Sequence, residues 1–102
     1  MAQQGRSHVV SAIEASGVVA VIRLQDSNKL RGVIDALAAG GVRALEVTMT
    51  VPGAIGLIEQ IAPTLPGEFQ LGAGTVLDAE TARLAILAGA RYVVSPVFRP
   101  DV

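Results

Sequence analysis

One glutamate interrupts an apolar stretch of this chain: Glu46, within Ala44-Leu45-Glu46-Val47-Thr48-Met49-Thr50. If the stretch is a strand, alternation puts Ala44, Glu46 and Thr48 on one face and Leu45 and Val47 on the other. Leu45 and Val47 suit a layer packed against helices, which turns Glu46 toward an interior. Burial there disfavours the carboxylate and raises its pKa, as suits a group that takes up and hands on protons. Two blander readings stay open: a buried glutamate neutralised by Arg23 or Arg43, or an edge position facing water. Arg23 closes another apolar run, Val18-Val19-Ala20-Val21-Ile22. Its forked guanidinium can receive an anionic substrate group, or it can simply reach into solvent from a strand end. Thr48 and Thr75 can donate hydrogen bonds to a carboxylate or carbonyl, although threonine also favours strands for its shape alone. Ser95 stands at the end of a fourth strand-like run.

Other polar residues offer less. Lys29 is the only lysine and precedes the apolar stripe of a surface helix. A Schiff-base lysine needs a dry pocket to lower its pKa, so Lys29 is expected to be solvated. His8 is the only histidine, there is no cysteine, and the carboxylates are scattered, so no metal cluster is expected. Asp26, Glu59, Glu68, Asp78 and Glu80 fit helix caps and solvated faces. Gly72-Ala73-Gly74-Thr75-Val76 lacks the third glycine of a dinucleotide loop, with Leu77 in its place. These glycines read as a tight turn with room for a ligand near the backbone.

The elements that must position these residues alternate. Val9 to Ala15 reads as a short helix, with Ser7 as its N-cap. Val18 to Arg23 reads as a fully buried strand. Asp26-Ser27-Asn28 caps a helix whose Leu30, Val33, Ile34 and Leu37 recur at helical spacing, and Gly40-Gly41 ends it. Ala44 to Thr48 is the second strand. Pro52 and Gly53 break the chain before a helix containing Ile55, Ile58, Ile61 and Ala62. Phe69 to Ala73 is the third strand. Asp78 caps a helix with Leu84, Ile86 and Leu87, which Gly89 closes before a fourth strand, Tyr92 to Ser95. Gly40-Gly41-Val42-Arg43-Ala44 and Gly89-Ala90-Arg91-Tyr92-Val93 repeat the same helix-to-strand step. Strict β-α alternation with apolar strands predicts a parallel sheet, either doubly wound or part of a (β/α)8 barrel. A barrel takes roughly 200 to 250 residues, and this chain has 102.

Composition narrows the function classes. Hydrophobic residues make up 51% and charged residues 17%, enough apolar mass for a core and too little charge for disorder. A net charge of −1 without a basic run argues against nucleic acid or an anionic membrane as partner. No apolar run approaches a membrane span, and Met1 to Ser7 lacks the apolar core of a signal peptide. A soluble cytoplasmic protein is the expectation.

Four segments together resemble one family: VVAVIR at 18–23, AGGVRALEVTMTVPGA at 39–54, GAGTVLDAE at 72–80 and AGARYVVSP at 88–96. Their order and spacing are similar to those of the class I aldolases acting on 2-keto-3-deoxy-6-phosphogluconate (KDPG), often also on 4-hydroxy-2-oxoglutarate (KHG). A cousin acting on phosphogalactonate usually has proline where this chain has Thr48. The resemblance implies a compact (β/α)8 barrel, usually a homotrimer, of which residues 1–102 are the N-terminal half: a first helix and four βα units. It implies reversible cleavage to pyruvate and glyceraldehyde 3-phosphate, with no cofactor or metal. A sixth-strand lysine forms the Schiff base, and a second-strand glutamate moves protons. By motif, Glu46 is that shuttle. Thr75 bonds the pyruvyl carboxylate, and Arg23, Thr48 and Ser95 complete the substrate-binding set. Some members carry an arginine where this chain has Thr50. Nothing here matches the Schiff-base lysine or the phosphate loops, so an inactive half is expected. The other reading is a non-catalytic half-barrel assembly module. A small α/β ligand-binding domain is a third. Either way, open strand edges and a bare inner face predict a chain that does not persist as a monomer.

Overall fold

The computed structural model describes residues 5–24 and 26–102. The elements run α1 (Arg6–Ser16), β1 (Val19–Ile22), α2 (Ser27–Ala39), β2 (Ala44–Thr48), α3 (Ala54–Ile61), a 3-10 turn (Ala62–Thr64), β3 (Gln70–Gly74), α4 (Ala79–Ala88) and β4 (Tyr92–Val93). The four strands form one parallel sheet in the order β1-β2-β3-β4. Each strand therefore lies beside the next in sequence, and β1 and β4 are left as edges. The β-α alternation seen in the sequence is the cause: each helix returns the chain to the same end of the sheet.

Helix ends follow local chemistry. The Asp26 side chain accepts from the Asn28 N–H at 2.9 Å and caps α2. The Asp78 side chain accepts from the Thr81 N–H at 2.6 Å and caps α4. Hydrogen bonding to the carboxylate holds the Asp78 pKa below its ordinary value. Gly41 takes φ 95° after α2 and lets the chain turn directly into β2. The cap of α1 is Gly5 rather than Ser7, which lies inside the helix.

The core lies between the sheet and the helices. Leu45 and Val47 of β2, Leu30 and Ile34 of α2 and Ile58 of α3 are all 2% exposed or less. Leu71 and Ala73 of β3 meet Ala82 and Ala85 of α4 in the same cluster. The larger apolar residues of α4, Leu84, Ile86 and Leu87, face outward and are exposed. Alanines fill the α4 seam: Ala82 is 7% and Ala85 0% exposed.

Three further expectations change. The first strand is not fully buried: Val21 is 50% exposed, because β1 is an edge and its inner face is bare, and Val18, which precedes the strand, is 56% exposed. The third strand sits one residue later than expected, at Gln70–Gly74. Gly72-Ala73-Gly74 is consequently strand and not turn, and the turn comes after it, at Thr75.

Candidate active site

The site is built on the face of the sheet that the helices do not cover. Val21, Glu46, Gly72 and Tyr92 share one row across the four strands. Thr48 and Gly74 pair in the row above, toward the C-terminal ends. α1 lies against β2 and β3, and the first inward residues of those strands, Ala44 and Gln70, are buried at 0% and 1% exposure. One end of the inner face is therefore filled and the C-terminal end is open.

Glu46 points inward, as strand alternation required, and is half-buried. Its carboxyl leans across β3: a Cβ built on Gly74 would lie 2.6 Å from Glu46 Cδ and closer still to Oε1. Burial pushes its pKa up, and the charge of Arg23 pulls it part of the way back. Among the described residues Glu46 forms no ion pair. Arg43, the other candidate neutraliser, is occupied elsewhere. Its guanidinium donates to the carbonyls of Ala38 and Val42 and lies 5.3 Å from the Phe69 ring centre. The arrangement leaves a carboxyl with raised proton affinity that is still reachable from the open side.

The threonines meet beside it. Thr48 Oγ1 lies 3.0 Å from Thr75 Oγ1 and 3.2 Å from Thr50 Oγ1, a chain of three hydroxyls with the buried Thr48 at its centre. Thr75 has φ 58°, a left-handed conformation that a β-branched residue adopts only under constraint. Such strain gathers at functional positions. Met49, Thr50, Thr75, Leu77, Asp78 and Thr81 line an open pocket of about 230 Å³ at this end.

The remaining candidates are placed less closely. Arg23 follows β1, is exposed and, among the described residues, makes no ion pair; it reaches Glu46 through its field. Ser95 follows β4; its hydroxyl is buried without a partner among the described residues and does not join the threonine chain. Lys29 is exposed on α2, as expected, and His8 is exposed on α1.

Tyr92, Gly72 and Gly74 were missed as site residues. The sequence does carry a signal for them. Two glycines spaced by two on one strand face clear space for large side chains from the neighbouring strands. Here those side chains are Tyr92 from β4 and Glu46 from β2.

Residues 9–102 match the family of KDPG and KHG aldolases. The 2-dehydro-3-deoxy-phosphogluconate aldolase of Treponema pallidum is 38% identical over 94 residues, covering 92% of this chain and 44% of that protein. The KHG/KDPG aldolase of Escherichia coli is 38% identical over 86 residues, covering 84% of this chain and 40% of that protein. Among solved structures, the KDPG aldolase of Legionella pneumophila, with pyruvate captured as a covalent carbinolamine, superposes with a TM-score of 0.82. It is 33% identical and covers 91% of this chain and 45% of that one. The Zymomonas mobilis enzyme with 3-phosphoglycerate gives 0.81 at 31% identity, covering 95% and 46%. This chain thus spans a little under half the length of the relatives it matches, and its fold is the partial α/β barrel of those enzymes. A parallel four-stranded half with an inward glutamate, matched in sequence along almost its whole length, belongs to the KDPG and KHG aldolase family.

Proposed function

We propose that residues 1–102 form the N-terminal half of a class I aldolase barrel and supply its proton shuttle. The parent reaction is reversible cleavage of 2-dehydro-3-deoxy-6-phosphogluconate to pyruvate and glyceraldehyde 3-phosphate. In such a reaction an imine to a lysine draws electrons from the breaking C–C bond, and a base must take a proton as the bond opens and return it to the pyruvyl carbon. Glu46 is that base. The observation that carries the reading is its carboxyl: inward, half-buried, raised in proton affinity, and one strand row from the Thr48–Thr75 pair. A carboxyl with raised proton affinity suits a group that must take up a proton as well as give one back.

Thr75 and Thr48 hold the pyruvyl carboxylate through their hydroxyls. Arg23 contributes positive charge at the same open end, and Ser95 lies at the rim. No residue of this chain matches the family's Schiff-base lysine, and exposed Lys29 is not given that role. The setting consistent with this reading is cytoplasmic sugar-acid breakdown of the Entner–Doudoroff type, in a homotrimer when the barrel is whole. No helix among the described residues is long and apolar enough to cross a membrane.

The test has two parts. Borohydride reduction of the full chain with pyruvate should leave Lys29 unlabelled; a pyruvyl adduct there would overturn the assignment of the Schiff base to residues outside this chain. Co-expression with the C-terminal half of a similar aldolase should restore cleavage, and Glu46→Gln should lower it by about 10²- to 10⁴-fold. Restored activity that ignores Glu46→Gln would remove the shuttle.

One observation favours a second reading, an assembly module without catalysis. β1 and β4 are open edges, and Val21 and Val94 on the inner face are 50% and 42% exposed. Both readings predict self-association, and a compact monomer in sedimentation at low micromolar concentration would count against the half barrel itself. The complementation assay separates the two: no cleavage with a C-terminal half supports the module, and Glu46-dependent cleavage argues against it.

A further inference from the structure

Tyr92 has no role in the reading above, yet it crosses the site from the far edge. A Cβ built on Gly72 would lie 2.6 Å from Tyr92 Cδ2 and closer to Cε2 and Cζ, so the ring covers β3 at the one row where β3 has no side chain. Beyond Gly72 its hydroxyl donates to the Leu45 carbonyl of β2 at 2.7 Å. The ring thereby spans from β4 to β2 in the same row as Glu46. With that row filled, the Glu46 carboxyl takes the next space up, over Gly74.

We propose that Tyr92 is a positioning residue for Glu46: its ring fills the row below, its hydroxyl is committed to Leu45, and the carboxyl is steered into the gap that Gly74 leaves open. Three consequences join here. The carboxyl is aimed toward the threonine pair at the open end. It loses water on the Tyr92 side. It receives no hydrogen bond from the nearest phenol, because that donor is already used. Desolvation without a compensating donor favours the protonated acid. Burial, aided by the field of Glu46, in turn raises the Tyr92 pKa, so the phenol keeps its proton and its bond to Leu45. Among the described residues, Arg23 from the end of β1 and Tyr92 from β4 are the charged or titratable groups that interact with Glu46; β3 presents Gly72 and Gly74, and Thr48 and Thr75 are neutral. Holding a reacting group through a rigid neighbour is how precise sites are kept precise.

This inference deepens the shuttle reading and rests on it for its catalytic meaning, but its test does not need catalysis. The Glu46 side-chain carboxyl carbon is followed by NMR through a pH titration of the full chain. Tyr92→Phe keeps the ring, so the Glu46 midpoint should stay near wild type. Tyr92→Ala lets water in, and the midpoint should fall toward the ordinary glutamate value. Gly74→Ala puts a methyl where the carboxyl lies, so both the carbon shift and the midpoint should move, the latter downward. Tyr92→Leu keeps apolar bulk without reaching across β3 and is measured beside Tyr92→Ala in case that variant does not fold; the same fall is expected. A dispersed amide spectrum certifies each folded variant. Midpoints unchanged in the folded Tyr92 truncation and in Gly74→Ala overturn the proposal. A downward shift in these variants, combined with restored catalysis that ignores Glu46→Gln, leaves the positioning intact and sinks only the shuttle.

Discussion

On the helix-covered face of the sheet, Ile22, Leu45, Val47, Leu71 and Ala73 are none of them more than 4% exposed. On the other face, the same strands carry Val21 at 50% exposure, half-buried Glu46, two glycines, Tyr92, and Val94 at 42%. One backbone thus serves two different ends. The covered face is close-packed hydrocarbon whose stability scales with buried area. The bare face trades that area for a carboxyl, a phenol and hydroxyls, and keeps them apart by leaving out side chains at Gly72 and Gly74. The difference teaches that this half fold is held mainly from outside, by its helices, and gathers its polar groups inside.

The contrast can be broken most severely from the covered face. Leu45→Ala removes a fully buried side chain that meets the helices and should cost about 2–5 kcal/mol in urea unfolding. The same operation at Val21, on the bare face, should cost far less, and equal losses at the two positions would erase the distinction. Next comes Gly72→Ala, which forces a methyl into the Tyr92 ring and should cost about 1–3 kcal/mol by overpacking. Combining it with Tyr92→Ala should return part of that loss, a coupling that a double-mutant cycle reads directly. Gln70→Leu should act in the opposite direction. Gln70 is 1% exposed, and among the described residues neither its amide nitrogen nor its oxygen has a partner, so an apolar replacement should raise stability by on the order of 1 kcal/mol.

The smallest effect is the pH dependence of stability. Glu46 has a folded pKa above its unfolded value, so the native state binds more protons than the unfolded state between the two. Its contribution to stability is therefore greatest below the ordinary glutamate value, declines as pH rises through the folded pKa, and is level above it. Glu46→Gln should abolish that decline in denaturation measured across the window. Asp78 runs the other way: its lowered pKa gives stability that is present above the ordinary aspartate value and is lost as pH falls. A wild-type decline that survives Glu46→Gln would place its source elsewhere.

Legibility in the sequence followed the same division. Ala44–Thr48 reads directly as β2, because its alternation and its flanking glycines and proline are all local. The Asp26 and Asp78 caps read directly for the same reason. The misreadings arose where a neighbour decides. Gly72-Ala73-Gly74 looks like a turn, but pairing with β2 and β4 makes it strand. Val18 to Arg23 looks like an interior strand, but its place at the sheet edge exposes it.

The order of elements, the parallel sheet, the shared strand face of Glu46 and Thr48 and the family itself were determined by the sequence alone, since each follows from periodicity, punctuation and motif spacing along the chain. Only the tertiary structure decided that Glu46 pairs across from Gly72 yet rests over Gly74, that Thr75 meets Thr48, and that Tyr92 reaches Leu45. The physical reason is register. Alternation is a property of one strand, but which residue stands opposite which depends on how separate strands settle against shared helices, and a one-residue slip would exchange the two faces.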